Sequence, residues 1–265
     1  MRRIVIVVAL FAAVFGATVP AYAASAEGPV YLALGDSQAF GVGTPQEDKL
    51  GYVPVLNRWV HATDCGEGSP EACPLLELVN LSVPGATSAT LIANQLPAAI
   101  GLITDRKTDG NPGNDVVLIT VTIGGNDLFG SVVANCLGGP SETCVQTIQS
   151  LFTTYVANLG VILGSLRSVA GPDVEIVITT YDNPLGACHL AALEPLADAV
   201  LEGGVGIPVG FNDLIEAVAA ATAVEVADTF GQLDPEDWVG GTDCLHPDIS
   251  GYHKIATIIR DVIND

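Results

Sequence analysis

The sequence predicts an α/β domain: a parallel sheet with helices wound on both faces. Two observations carry that expectation. Five short apolar runs, rich in β-branched residues, lack the polar alternation of a half-exposed strand and so read as strands buried on both faces. Longer segments that read as helices separate them, and strict alternation of strand and helix argues a doubly wound sheet around one core. The chain has 265 residues, 49% of them hydrophobic, ample for the interior of a single unit of this class.

The first strand, 30–34, reads Val-Tyr-Leu-Ala-Leu and runs into Gly35. A helix is expected at 52–62, a second strand at 76–81, a helix at 88–102 and a third strand at 116–123. A long helix at 144–169 has Gly160 and Gly164 as the points where it would bend. Strand 174–180, helix 211–222, strand 224–227 and helix 249–263 complete the pattern. Between them, 63–74 and 135–143 are loops rich in Gly, Pro and Cys. Segment 182–208 is a long mixed loop, broken by Gly203-Gly204 and Pro208, expected to lie over the edge of a site. Parallel connections are right-handed, so the strand C-terminal ends share one rim, where ligands of such sheets bind.

The N-terminus stands apart from this core. Arg2-Arg3, an apolar stretch from 4 to 19 and Ala21-Tyr22-Ala23 read as a secretory signal with its cleavage site after residue 23. Ala24-Ser25-Ala26 offers a second site, after residue 26. The expected mature protein is a secreted single domain over 27–265, a monomer. Cleavage removes two cations and no acid, taking the net charge from −21 to −23. Such an acidic chain is not expected to bind nucleic acid, and anionic membrane surfaces should repel it. No later apolar stretch is free of charges over a spanning length, so no stable membrane insertion is expected once the signal is gone.

Six cysteines in an exported chain point to disulfides. Proximity in sequence suggests Cys65 with Cys73 and Cys136 with Cys144, leaving Cys188 with Cys244. Fifteen connectivities are open to six cysteines, and proximity is the one sequence argument for this set. Metal use is disfavoured: no Cys-x-x-Cys occurs, and only Cys188-His189 puts soft ligands side by side. Residues 105–110 resemble a calcium loop faintly, but Lys107 stands where a ligand should. No cofactor or metal is therefore expected.

Chemistry concentrates where strands end. Gly35-Asp36-Ser37-Gln38 follows the first strand, and Asp243-Cys244-Leu245-His246-Pro247 lies between the fifth strand and the last helix. A serine needs a base to become a nucleophile at neutral pH, and the base needs a group that holds its tautomer. Residues 80–87, containing Gly85, follow the second strand, and Gly124-Gly125-Asn126-Asp127 follows the third. Singly, each has an ordinary reading: a turn and helix cap, a loop glycine, a strand-to-helix turn, a loop histidine. Their joint order along one rim favours catalysis. Asp36 is read as supporting the serine turn. His61, His189 and His253 are read as surface or packing residues, of which only His189 could approach the site.

In these blocks the chain resembles the SGNH (GDSL) hydrolase family, over most of its mature length. The resemblance implies a flavodoxin-like three-layer α/β/α sandwich with five parallel strands in the order 2-1-3-4-5. It implies Ser37 as nucleophile, His246 as base and Asp243 as its partner. It also implies an oxyanion hole made by the backbone N–H groups of Ser37 and Gly85 and the Asn126 amide. Three disulfides resemble the secreted bacterial esterase and lipase branch. The substrate expected is a small-molecule or lipid carboxylic ester, with deacetylation of a polysaccharide or phospholipid deacylation on the same site as the rivals. A non-catalytic binding protein on the same fold is a lesser one. Phe40, Val42, Leu128, Phe129, Leu185 and Leu190 could line an acyl trough near Ser37, although core packing is the commoner fate of such residues.

Overall fold

The computed structural model describes residues 28–64, 76–136, 141–204 and 206–264. The expected leader, Cys65, Cys73 and the side chain of His61 lie outside the described part. Strands β1 (Val30–Gly35), β2 (Glu77–Asn80), β3 (Val116–Thr122), β4 (Glu175–Thr179) and β5 (Glu225–Ala227) form one parallel sheet in the order β2-β1-β3-β4-β5. This is the expected topology, with strand ends differing by a residue or two from the sequence-based ranges.

The residues of β1 explain the three layers. Val30, Leu32 and Leu34 point into one core, Tyr31 and Ala33 into the other. Successive side chains of a strand alternate between faces, so a strand covered on both sides must be apolar at every position. On one face pack α4 (Ser88–Thr108), α6 (Glu142–Ala170) and α8 (Phe211–Ala221), and on the other α3 (Tyr52–Asp64) and α9 (Ile249–Ile263). Three buried hydroxyls link strands and helix below the rim: Tyr52 Oη lies 2.8 Å from Thr122 Oγ1, which lies 2.9 Å from Thr179 Oγ1.

Several elements depart from the expectation. Helix α4 continues past 102 to Thr108, because Ile103 keeps the packing going and the hydroxyls of Thr104 and Thr108 bond back to carbonyls one turn earlier. Helix α6 runs unbroken through Gly160 and Gly164, so neither glycine interrupts its helical structure. Short helices α1 (Ser37–Phe40) and α2 (Glu47–Leu50), and a fuller one, α5 (Gly125–Cys136), were not expected. Helix α5 contains Gly130 and the β-branched pair Val132-Val133, poor helix formers that hide it from a local reading. Segment 182–208 is not a plain loop. It holds 3-10 turns at Leu185–Ala187 and Ala191–Leu193 and then α7 (Glu194–Glu202), with Pro195 in its first turn, where proline fits a helix. Bonds join Cys136 to Cys144 and Cys188 to Cys244, as proximity suggested. Among the described residues, no helix is long and apolar enough to cross a membrane.

Candidate active site

The site is built on the end of β1. Gly35 has φ +149°, and a Cβ there would collide with the Thr122 carbonyl oxygen, so no other residue fits. The Gln95 side chain from α4 accepts from Gly35 N–H at 2.9 Å and donates to its carbonyl at 2.8 Å, fixing the strand end. Asp36 then caps α1 by accepting from Gln38 N–H at 2.9 Å, which sets Ser37 at the first helical position. Its other oxygen accepts from Tyr181 Oη at 2.9 Å. Asp36 is almost fully buried. That burial raises its pKa to about 6, against the lowering effect of the Gln38 and Tyr181 hydrogen bonds.

His246 reaches Ser37 from the far end of the chain, its Nε2 3.0 Å from Ser37 Oγ. Its Nδ1 lies 2.8 Å from Asp243 Oδ2, and its backbone N–H donates to Asp243 Oδ1 at 3.0 Å. With Nδ1 protonated against the carboxylate, Nε2 presents its lone pair to the serine hydroxyl. Burial works against the Asp243 charge, but the bonds from His246 and from Leu245 N–H outweigh it and hold the carboxyl below its usual range. The loop is itself anchored: Val239 N–H donates to His246 O at 3.0 Å, and Asp248 N–H to Asp237 O at 2.8 Å.

The second strand supplies a turn. Val83-Pro84-Gly85-Ala86 closes with Ala86 N–H on Val83 O at 3.0 Å, and Gly85 has φ +79°. Proline before a glycine of positive φ is the signature of a type II turn. Val83 N–H donates to Gly35 O at 3.0 Å, tying this turn to the strand end beside Ser37. Asn126, in the first turn of α5, donates from Nδ2 to Ala86 O at 2.9 Å, and its second amide hydrogen has no partner among the described residues. The backbone N–H groups of Ser37 and Gly85 donate to nothing among the described residues. Asp127 accepts from Ser88, and its burial raises its pKa above the usual carboxylate value despite those bonds.

An apolar cleft opens from Ser37 and Asn126 between α5 and the 182–202 segment. Leu128, Phe129 and Val132 form one wall, and Leu185, Leu196 and Val200 are prominent in the other. Of the six residues expected to line a trough, Leu128, Phe129 and Leu185 do so. Phe40 instead faces a separate, more polar cleft with Thr44 and Glu47, Val42 offers its carbonyl to Tyr252 Oη, and Leu190 packs beside the Cys188–Cys244 bond. The α7 wall went unread in the sequence, although the spacing of Leu193, Leu196, Ala197, Val200 and Leu201 is that of one helix face. His189 is exposed, its Nδ1 3.1 Å from Gly241 O, outside the cleft. His253 packs edge-on against Trp59. Donor atoms of Cys188, His189 and Cys244 lie within 4.8 Å of one another, but the two sulfurs are bonded together and are not available thiolates.

A serine, an imidazole and a carboxylate in hydrogen-bonded series, at the C-terminal edge of a parallel sheet, define a hydrolase. The chain belongs to the GDSL-like lipase/acylhydrolase family, whose sequence model matches residues 33–254. Solved structures share the fold at low identity. A lipase from a goat rumen metagenome is 20% identical with a TM-score of 0.64, over 89% of this chain and 97% of that one. The acetylxylan esterase Axe2 of Geobacillus stearothermophilus is 18% identical with a TM-score of 0.55, over 91% and 97%. A member of the lipolytic G-D-S-L family from Veillonella parvula is 17% identical with a TM-score of 0.51, over 89% and 99%. No curated protein matches the chain in sequence.

Proposed function

We propose that the protein is a secreted carboxylic ester hydrolase that prefers fatty-acyl over acetyl esters and works through an acyl-enzyme on Ser37. The Ser37–His246–Asp243 series at the mouth of an apolar cleft carries this reading. Ser37 Oγ attacks the ester carbonyl carbon while its proton passes to His246 Nε2. The oxyanion receives hydrogen bonds from Ser37 N–H, Gly85 N–H and Asn126 Nδ2, donors that act most strongly where water is excluded. As the tetrahedral adduct collapses, the C–O bond to the alcohol breaks and His246 returns the proton to the leaving oxygen. Water, deprotonated by His246, then attacks the acyl carbon. The acid leaves, and the proton goes back to Ser37 Oγ.

The cleft argues for a long acyl group. An acetyl group would leave its apolar walls in contact with water, whereas each buried methylene contributes about 0.8 kcal/mol. Export fits the two disulfides among the described residues, since such bonds persist in oxidising compartments. N-terminal sequencing of protein recovered from culture medium tests the leader: a mature start at residue 24 or 27 is expected.

The decisive experiment is a panel of p-nitrophenyl esters from acetate to palmitate, with acetylxylan alongside, on wild type and Ser37→Ala. Wild type should turn over octanoate and longer esters with higher kcat/KM than acetate, and the alanine variant should be inactive yet folded. Near wild-type turnover in Ser37→Ala would reject the nucleophile. A preference for acetylxylan would replace the acyl preference with deacetylation.

A further inference from the structure

The turn that presents the Gly85 N–H is exposed, and a Cβ placed on Gly85 would meet nothing within 4 Å. Gly85 has no side chain to pack, so the donor's position depends on how the two ends of its turn are tied. The front end is tied to Gly35 O through Val83 N–H. The back end is tied twice from the start of α5. Asn126 Nδ2 bonds to Ala86 O, and the Asp127 carboxylate grips Ser88, accepting from its backbone N–H at 2.8 Å and from its hydroxyl at 2.5 Å. Asn158, on α6, donates to that same Ser88 oxygen at 2.9 Å, and Ser88 is fully buried.

Resting on the ester-hydrolase reading, we propose that Asp127 is a positioning residue for the oxyanion hole, holding the Gly85 N–H in register through Ser88. Three observations favour this over a plain helix cap. Thr87 already caps α4, its hydroxyl oxygen accepting from Thr90 N–H and its own N–H donating to Thr90 Oγ1, so the capping box is complete without Asp127. The carboxylate follows Asn126 directly, so one turn of α5 carries both an oxyanion donor and the clamp for the other donor's loop. Finally, a negative charge near a developing oxyanion is electrostatically adverse. Its use here fits a need for charge-assisted bonds, which are roughly twice as strong as neutral ones. Asn126 both donates and clamps, while Asp127 only clamps, so substitution at Asp127 isolates the positioning effect.

The test compares wild type with Asp127→Ala, Asp127→Asn and Ser88→Ala. Displacement of a reacting or stabilising group by about 1 Å can cost on the order of 10²-fold. Asp127→Ala should therefore lower kcat by about 10-fold or more while KM stays within about twofold. Affinity for an alkylboronic acid, whose adduct with Ser37 places a charged oxygen in the hole, should fall by a similar factor. Asp127→Asn, whose single carbonyl oxygen can keep one of the two Ser88 bonds without the charge, should recover only part of the loss. Ser88→Ala, missing one of the two bonds, should fall between. Amide hydrogen exchange over 83–88 should accelerate in Asp127→Ala, a readout that does not depend on turnover. Unchanged exchange and unchanged boronate affinity would overturn the proposal, as would a kcat loss matched by an equal rise in KM. If Asp127→Ala does not fold, Ser88→Ala decides by the same measurements. A wild type inactive on every ester would reject the hydrolase reading instead, with the exchange data still judging the clamp.

Discussion

Cys188 is bonded to Cys244, two residues before His246, so one covalent link joins the wall of the apolar cleft to the loop that carries His246. Cys188 and Cys244 pack with Leu185, Phe129, Leu193 and Ala197, all four of which line the cleft. The neighbouring backbone adds to the tie: His189 N–H donates to Gly241 O at 3.0 Å and Gly241 N–H to Ala187 O at 3.3 Å. The cleft wall and the His246 loop are thereby tied together.

Replacing both cysteines of this pair by alanine should lower turnover and melting temperature together. The bond spans 56 residues, for which the chain-entropy model gives about 4 kcal/mol, although that mechanism is disputed. The Cys136–Cys144 bond spans 8 and is worth about 2.5 by the same relation. The larger consequence expected is in the acyl profile, because the 185–197 wall loses its anchor and discrimination between long and short esters should weaken. Steady-state kinetics on the ester panel and a thermal melt check this. Full activity with an unaltered profile in the double variant would refute the coupling.

Leu196 tests the cleft directly. Leu196→Trp places a bulky ring on the α7 wall, away from Ser37 and His246. One missing or extra methylene in an apolar pocket changes discrimination by about 10–200-fold. The variant should therefore lose at least about 10-fold in kcat/KM on octanoate while acetate hydrolysis stays within about threefold. Equal losses on both esters would show a folding defect instead, and no loss on octanoate would remove the acyl chain from this cleft.

The same helix shows what the sequence could and could not tell. The strands were legible because burial on both faces forces unbroken apolar runs, as in β1. Ser37, His246, Asn126 and Gly85 stood out only through the joint order of their blocks after successive strands and their resemblance to the SGNH motifs, since each alone reads as an ordinary turn or loop residue. The α7 wall was not legible, since Gly203-Gly204, Pro195 and a mixed composition dominate a local view, and only the cleft it shares with α5 gives its apolar face a purpose. Tyr181 was invisible for a different reason. Its role depends on Asp36, 145 positions away, and nothing local marks that hydrogen bond.

The mechanism needs a neutral imidazole at His246 to accept the Ser37 proton, so kcat/KM should fall at acid pH. The hydrogen bonds from His246 and Leu245 N–H hold Asp243 below the usual carboxylate range. Chelators should leave turnover unchanged. Asn126→Ala should cut kcat by about 10²–10³ through its lost donor, with part of that loss arising from the freed Ala86 carbonyl. A pH–rate profile for kcat/KM, measured with and without EDTA, checks the first points. A calcium or zinc requirement would contradict the mechanism.

Asp36 gives a stability prediction with a definite sign. Its folded pKa, about 6, lies above its ordinary 3.8, so the folded state holds this proton more tightly than the unfolded chain. The group's favourable contribution is complete at low pH and is lost as pH rises from about 4 to about 6. Above that window a charged carboxylate sits buried, at a cost on the order of 2–3 kcal/mol. Asp36→Asn removes the charge, keeps an oxygen to cap Gln38 N–H and leaves an amide for Tyr181 Oη. The stability difference between the Asp36→Asn variant and wild type should therefore grow in favour of the variant from pH 4 to pH 6 and level off above it. Urea midpoints at four pH values across that range measure the difference. A gap that does not vary with pH would mean that folding leaves the Asp36 pKa unchanged. A gap growing towards acid would mean that its hydrogen bonds outweigh its burial.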